Sequence, residues 1–217
     1  MKVKTMTDLR GNVFFDGPEG RIEAIIKEPD SPVIRAAIVC HPHPLYGGTM
    51  HNKVVFRIAR AFQDGRFAVL RFNFRGTGLS EGKHDDGAGE QDDLRAAVRF
   101  ITGKYPDAKL WIAGFSFGAA VMLRAVACDE EVQAIVAVGV PVSKYDFTSV
   151  SQCKKPKLFV QGELDEFGSP AELKRLVDTF DEPKEFKIIP GADHFFEGRL
   201  TELQQTVSSF ITRYSDE

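Results

Sequence analysis

The sequence predicts an α/β protein, a mainly parallel doubly wound sheet with helices on both faces and an antiparallel hairpin at its N-terminal end. Three observations carry this. Short apolar runs alternate with segments of helical spacing over most of the chain, the pattern of strands joined by crossover helices. The runs are apolar at consecutive positions, as in strands covered on both faces. One of them, Leu110–Ala113, leads through Gly114-Phe115-Ser116-Phe117-Gly118 into the small residues Ala119 and Ala120. That is G-x-S-x-G between a strand and a helix, the setting of a nucleophile elbow.

The elements follow in order. Asn12–Phe15 and Arg21–Lys27, joined around Gly17-Pro18-Glu19-Gly20, read as the opening hairpin. Ala36–Cys40 is a buried strand. Val55, Ile58, Ala59 and Phe62 recur at helical spacing and stop at Gly65. Phe67–Phe72 is a strand, and Leu94, Ala97, Val98 and Ile101 give the next helix before Pro106. After the elbow, a helix is expected over Ala119–Ala127 and strands over Ala134–Val138 and Leu158–Gln161. Ser169-Pro170-Ala171-Glu172 is a capping box with proline at the first helical position. Phe186–Ile189 is the last strand, and Leu200, Leu203, Val207, Phe210 and Ile211 mark a closing helix.

With 217 residues, 43% of them hydrophobic and 27% charged, the chain fits one soluble domain spanning 1–217. The net charge of −3, without a basic run, argues against nucleic-acid or anionic-membrane partners. The N-terminal residues lack the apolar stretch of a signal peptide, and three cysteines are an odd number. A cytoplasmic protein with reduced thiols is expected, with Cys40 and Cys128 buried and Cys153 exposed. Homo-oligomerisation stays open.

A serine hydroxyl needs a base, usually histidine, oriented by a carboxylate. In a parallel sheet these partners belong to loops just after strands. Gly162-Glu163-Leu164-Asp165 follows one strand and Gly191-Ala192-Asp193-His194 another. The expected catalytic residues are therefore Ser116, Asp165 and His194, in that chain order. The rivals are His41, His43, His51 and His84 for the base, and Glu163, Glu166 and Asp146 for the acid. Asp193, the neighbour of His194, is badly placed to orient it. Oxyanion donors are expected from the backbone N–H of Phe117 and of His43 or Leu45, because Pro42 and Pro44 have none. Arg75 is expected to brace its loop.

Taken together, the His41-Pro42-x-x-x-x-Gly47-Gly48 loop with Met50-His51-Asn52-Lys53, the segment Phe72-Asn73-Phe74-Arg75-Gly76-Thr77-Gly78-x-Ser80, the GFSFG elbow and the Gly191–His194 ending resemble the α/β-hydrolase superfamily. Within it they are similar to a small, lid-poor bacterial group of esterase or dienelactone-hydrolase type. The resemblance runs from about Asn12 to the C-terminal helix. It departs from the wider pattern at Pro42, where glycine is common, and at Asn73, where aspartate often precedes Arg-Gly. It implies a serine hydrolase that cleaves a small ester or thioester through an acyl-enzyme, with no cofactor or metal. The alternatives are a non-catalytic binding protein of the same fold and a metal site at His41, His43 and His51. Gly139–Lys157 is too short for a large cap, so an open site screened by Tyr46, Phe115, Phe117, Tyr145 and Phe195 is expected, suited to a small-molecule ester.

Overall fold

The computed structural model describes residues 6–7 and 12–215. Among the described residues nine strands form a single sheet: β1 (Met6–Thr7), β2 (Val13–Gly17), β3 (Gly20–Lys27), β4 (Arg35–Cys40), β5 (Ala68–Phe72), β6 (Lys109–Phe115), β7 (Val132–Val138), β8 (Lys157–Gly162) and β9 (Lys184–Ile189). Their spatial order is β1-β2-β3-β5-β4-β6-β7-β8-β9. The first three strands and the β3–β5 pairing are antiparallel. Every pairing from β5 through β4 to β9 is parallel. The expected hairpin is β2–β3, closed at the Gly17–Gly20 pair. The sequence reading had not anticipated β1.

Among the described residues five helices cover the sheet: α1 (Lys53–Asp64), α2 (Gly89–Lys104), α3 (Phe117–Ala125), α4 (Pro170–Asp178) and α5 (Leu200–Tyr214). Side-chain alternation splits each apolar run between two cores. In β4, Ala36, Ile38 and Cys40 face a core shared with Leu94, Val121 and Leu173, so α2, α3 and α4 lie on that side. Ala37 and Val39 face the other core, with Ile58 of α1 and Leu203 of α5. That division is why runs such as Ala36–Cys40 read as continuously apolar.

Local chemistry sets the helix starts. The Asn52 side chain accepts from the Val54 and Val55 amides at 2.8 and 3.4 Å. Ser169 caps α4 through the Glu172 amide, with Pro170 at the first helical position. The connection from β7 to β8 contains only two short 3-10 turns, Val142–Lys144 and Thr148–Val150, and no cap domain.

The cysteine expectation is overturned for two of three residues. Cys40 is buried as expected, but Cys128 is exposed and Cys153 is buried. Helix α3 ends at Ala125, which leaves Cys128 on a surface turn. The loop before β8 instead folds Cys153 inward, where its thiol meets the Ala127 carbonyl at 3.2 Å.

Candidate active site

The site lies at the carboxyl ends of the parallel strands, as expected for an open α/β sheet. The elbow is built by close approach of backbones. Ser116 sits at φ 55°, ψ −118°, a conformation that side-chain-bearing residues avoid. Its amide is pinned by the Val138 carbonyl at 2.8 Å. A Cβ on Gly114 would come within 2.5 Å of the Gly118 backbone, and one on Gly118 within 2.5 Å of the His41 carbonyl. Only glycine fits either position. Helix α3 therefore begins at Phe117, two residues earlier than the small-residue pattern predicts, and its first amide is among the unsatisfied donors of a helix N-terminus.

The structure brings together all three residues expected to act with one another. Ser116 Oγ lies 2.9 Å from His194 Nε2, and His194 Nδ1 lies 2.8 Å from Asp165 Oδ2. A carboxylate can only accept from the ring, so Nδ1 carries the proton and Nε2 is left to accept from the serine hydroxyl. Asp165 comes from the loop after β8, and its other oxygen accepts from the Phe167 and Gly168 amides at 2.9 and 3.0 Å. His194, from the loop after β9, is 4% exposed. Phe115, Phe167 and Phe195 pack on its ring with centroids 5.0, 4.7 and 5.3 Å away.

The rival residues have other work. Glu163 accepts from the Gly191 amide at 2.7 Å and so holds the histidine loop. Asp193 accepts from the Glu197 amide, and Asp146 caps Thr148. Glu166 and His51 are exposed. His41 is fully buried: Nε2 accepts from the Phe74 amide at 3.0 Å, which puts the proton on Nδ1 for the Pro42 carbonyl at 2.6 Å. Burial pushes its pKa down to about 4. With both nitrogens spent on backbone, His41 has none for a metal. Among the described residues no three His, Cys, Asp or Glu side chains converge in a metal-binding arrangement. His84 lies behind the site, its ring 4.9 Å from that of His43 and its Nδ1 2.8 Å from the buried Glu90.

Arg75 braces its loop as expected. Its guanidinium meets the buried Asp93 carboxylate at 2.8–3.1 Å, and its amide donates to the same carboxylate at 2.9 Å.

An open cavity of about 450 Å³ surrounds Ser116 and His194. Four of the five expected screening aromatics, Tyr46, Phe117, Tyr145 and Phe195, line it. Phe115 does not: its side chain points beneath the histidine ring and is fully buried, because residues adjacent to the nucleophile in β6 are covered on both faces. Phe167, on the acid loop, takes its place in the wall.

Residues 38–216 match the family described as "Alpha/beta hydrolase domain". The chain belongs to the α/β-hydrolase family. A Rickettsia prowazekii relative, described as an uncharacterized protein, is 38% identical over 208 residues, covering 92% of this chain and 87% of its own. An alpha-beta serine hydrolase homologue from Coxiella burnetii superposes with a TM-score of 0.87 at 40% identity, over 95% of this chain and 98% of that one. A Xanthomonas campestris member described as an α/β serine hydrolase without lid gives 0.86 at 35% identity, over 99% and 96% of the two chains. The absence of a cap between β7 and β8 matches that description.

The sequence reading of this α/β hydrolase missed one residue at the site. Gln161, the penultimate residue of β8, is fully buried. Its Nε2 donates to Asp165 Oδ2 and to the Gly168 carbonyl, both at 2.8 Å, and its Oε1 accepts from the Val140 amide at 3.0 Å. The available signal was an amide ending an otherwise apolar strand four residues before the acid. Of the two loop amides left open, that of Leu45 donates to His43 Nδ1 at 3.3 Å.

Proposed function

We propose that this α/β hydrolase is a serine esterase that cleaves small carboxylic esters, or thioesters, through an acyl-enzyme. The observation that carries the reading is the unbroken hydrogen-bond chain from Ser116 through His194 to Asp165, opening into a cavity. In the acylation step, His194 Nε2 takes the serine proton as Oγ bonds to the substrate carbonyl carbon. The tetrahedral intermediate collapses as His194 returns that proton to the leaving alcohol or thiol. Water then attacks the acyl-serine with the same histidine as base, releasing the acid and restoring the hydroxyl.

The oxyanion is received by the Phe117 amide, aided by the positive end of α3. The His43 amide is the second donor, since the Leu45 amide is engaged by the His43 ring. Removing one such donor costs about 10²–10³ in rate in comparable sites. Asp165 stabilises the imidazolium, its carboxylate held by two backbone amides and the Gln161 amide.

The cavity opens directly to solvent without a cap, which favours a small dissolved ester over a lipid at an interface. The test is pH-stat hydrolysis of short-chain esters and thioesters by wild type and Ser116→Ala. Wild-type turnover that falls to background in the variant is expected; retention of most activity by Ser116→Ala overturns the proposal.

A further inference from the structure

The composition of the cavity wall narrows the substrate. Seven rings line it, those of His43, Tyr46, Phe117, Tyr145, Phe167, His194 and Phe195, together with Pro42 and Pro141. Among the described residues no Val, Leu, Ile, Met or Ala does, although these residues make up most of the two cores. A linear acyl chain is ordinarily accommodated by flexible aliphatic side chains. A wall of rigid rings instead offers faces and edges to a planar guest, and such pairs have a directional preference beyond area burial. The exposure of the rings points the same way. Tyr46 is 83% exposed, a large aromatic surface left for a guest to cover, whereas Phe117 is 2% exposed and offers only a floor.

The positions of the rings assign the two halves of the ester. His194 Nε2 must reach the leaving oxygen, so the leaving group lies on the side of Phe167 and Phe195, which pack against that imidazole. The acyl half then lies toward Phe117, whose ring is 4.8 Å from that of His43, itself 4.7 Å from Tyr46. Tyr145 also lines the cavity and reaches that side through Arg124, whose guanidinium lies 5.6 Å from its ring and flanks Gly87 beside Phe117.

We infer that the preferred substrates carry an aromatic acyl group, of benzoyl or arylacryloyl type, seated between Phe117, His43, Tyr46 and Tyr145. The inference rests on the serine-esterase reading. Its test compares kcat/KM for ethyl benzoate and ethyl cinnamate with that for ethyl hexanoate and ethyl octanoate, the alcohol being constant. The aromatic series is expected to be faster by at least about tenfold, and Tyr145→Leu to shrink that ratio severalfold. Equal or faster turnover of the linear series by wild type overturns the inference while leaving the esterase reading intact. So does an aryl-to-alkyl ratio unchanged in both Tyr145→Leu and Tyr46→Ala. No turnover of either series, with no covalent labelling of Ser116 by a serine-directed probe, overturns both.

Discussion

Gln161 Nε2 and His194 Nδ1 converge on one oxygen, Oδ2 of Asp165, each at 2.8 Å. The carboxylate is therefore fixed in rotation as well as position, because its second oxygen is held by two backbone amides. The same glutamine ties the loop after β7 to the acid loop through Val140 and Gly168. It acts through Asp165, as a positioning residue.

Replacing Gln161 by leucine should release the carboxylate to rotate and let the imidazole drift from Ser116. A misplacement of about 1 Å can cost about 10²-fold, and that loss is expected in kcat with KM little changed, since the cavity wall is untouched. Gln161→Glu, which keeps the shape but replaces the amide donor, should share the kcat loss. Steady-state kinetics on a soluble ester checks both variants. A loss confined to KM would contradict the positioning role.

Gly118→Ala should destabilise the fold as well as the site. The new Cβ meets the His41 and Cys40 carbonyls at 2.5 and 2.6 Å, backbone atoms that cannot swing away. Overpacking of this kind typically costs about 1–3 kcal/mol. Denaturant unfolding of wild type and variant measures it, with a lowered midpoint expected at an unchanged slope.

The Arg75–Asp93 pair is buried on both sides, Asp93 completely and Arg75 to 5% exposure. Asp93→Ala leaves a buried guanidinium without its main partner, and removing one member of such a pair costs about 3–5 kcal/mol. Urea titration is expected to show a loss in that range, against less than about 1 kcal/mol for the exposed Lys174–Asp178 pair.

His41 imposes a pH dependence on stability. Burial holds its folded-state pKa at about 4, against 6.5 when free. Between these values the unfolded chain binds the proton and the folded one does not, so stability falls as the pH drops through this window. The contribution is fully present above pH 6.5 and lost below about 4, amounting to about 3 kcal/mol. Unfolding free energies measured from pH 7 to 4 should show this slope. His41→Asn should be less stable at pH 7 and lack that part of the slope.

Much of this was legible in the chain itself. The elbow is a local motif whose glycines, strand and helix are contiguous, and the acid and base each follow a strand by a few residues. Their meeting follows from parallel topology alone. Adjacency alone set Asp193 aside and Glu163 remained a rival for the acid; the structure supplies the reason neither serves, since Glu163 accepts from the Gly191 amide and Asp193 from the Glu197 amide. What stayed hidden depends on contacts between distant segments. Gln161 reads as one polar residue at a strand end. His41 looks like a ligand or a base until its ring is seen bridging the loop after β4 to Phe74. The exposure of Cys128 turns on the surface turn that follows α3, and the burial of Cys153 on the loop before β8 that folds it against Ala127.

The central claim, that Ser116 is an activated nucleophile, is tested most directly by intact-mass analysis after exposure to a fluorophosphonate probe. A single adduct on the wild-type protein, absent from Ser116→Ala, is the predicted result. A wild-type protein that takes up no probe, or a Ser116→Ala variant that takes up as much as wild type, would contradict it.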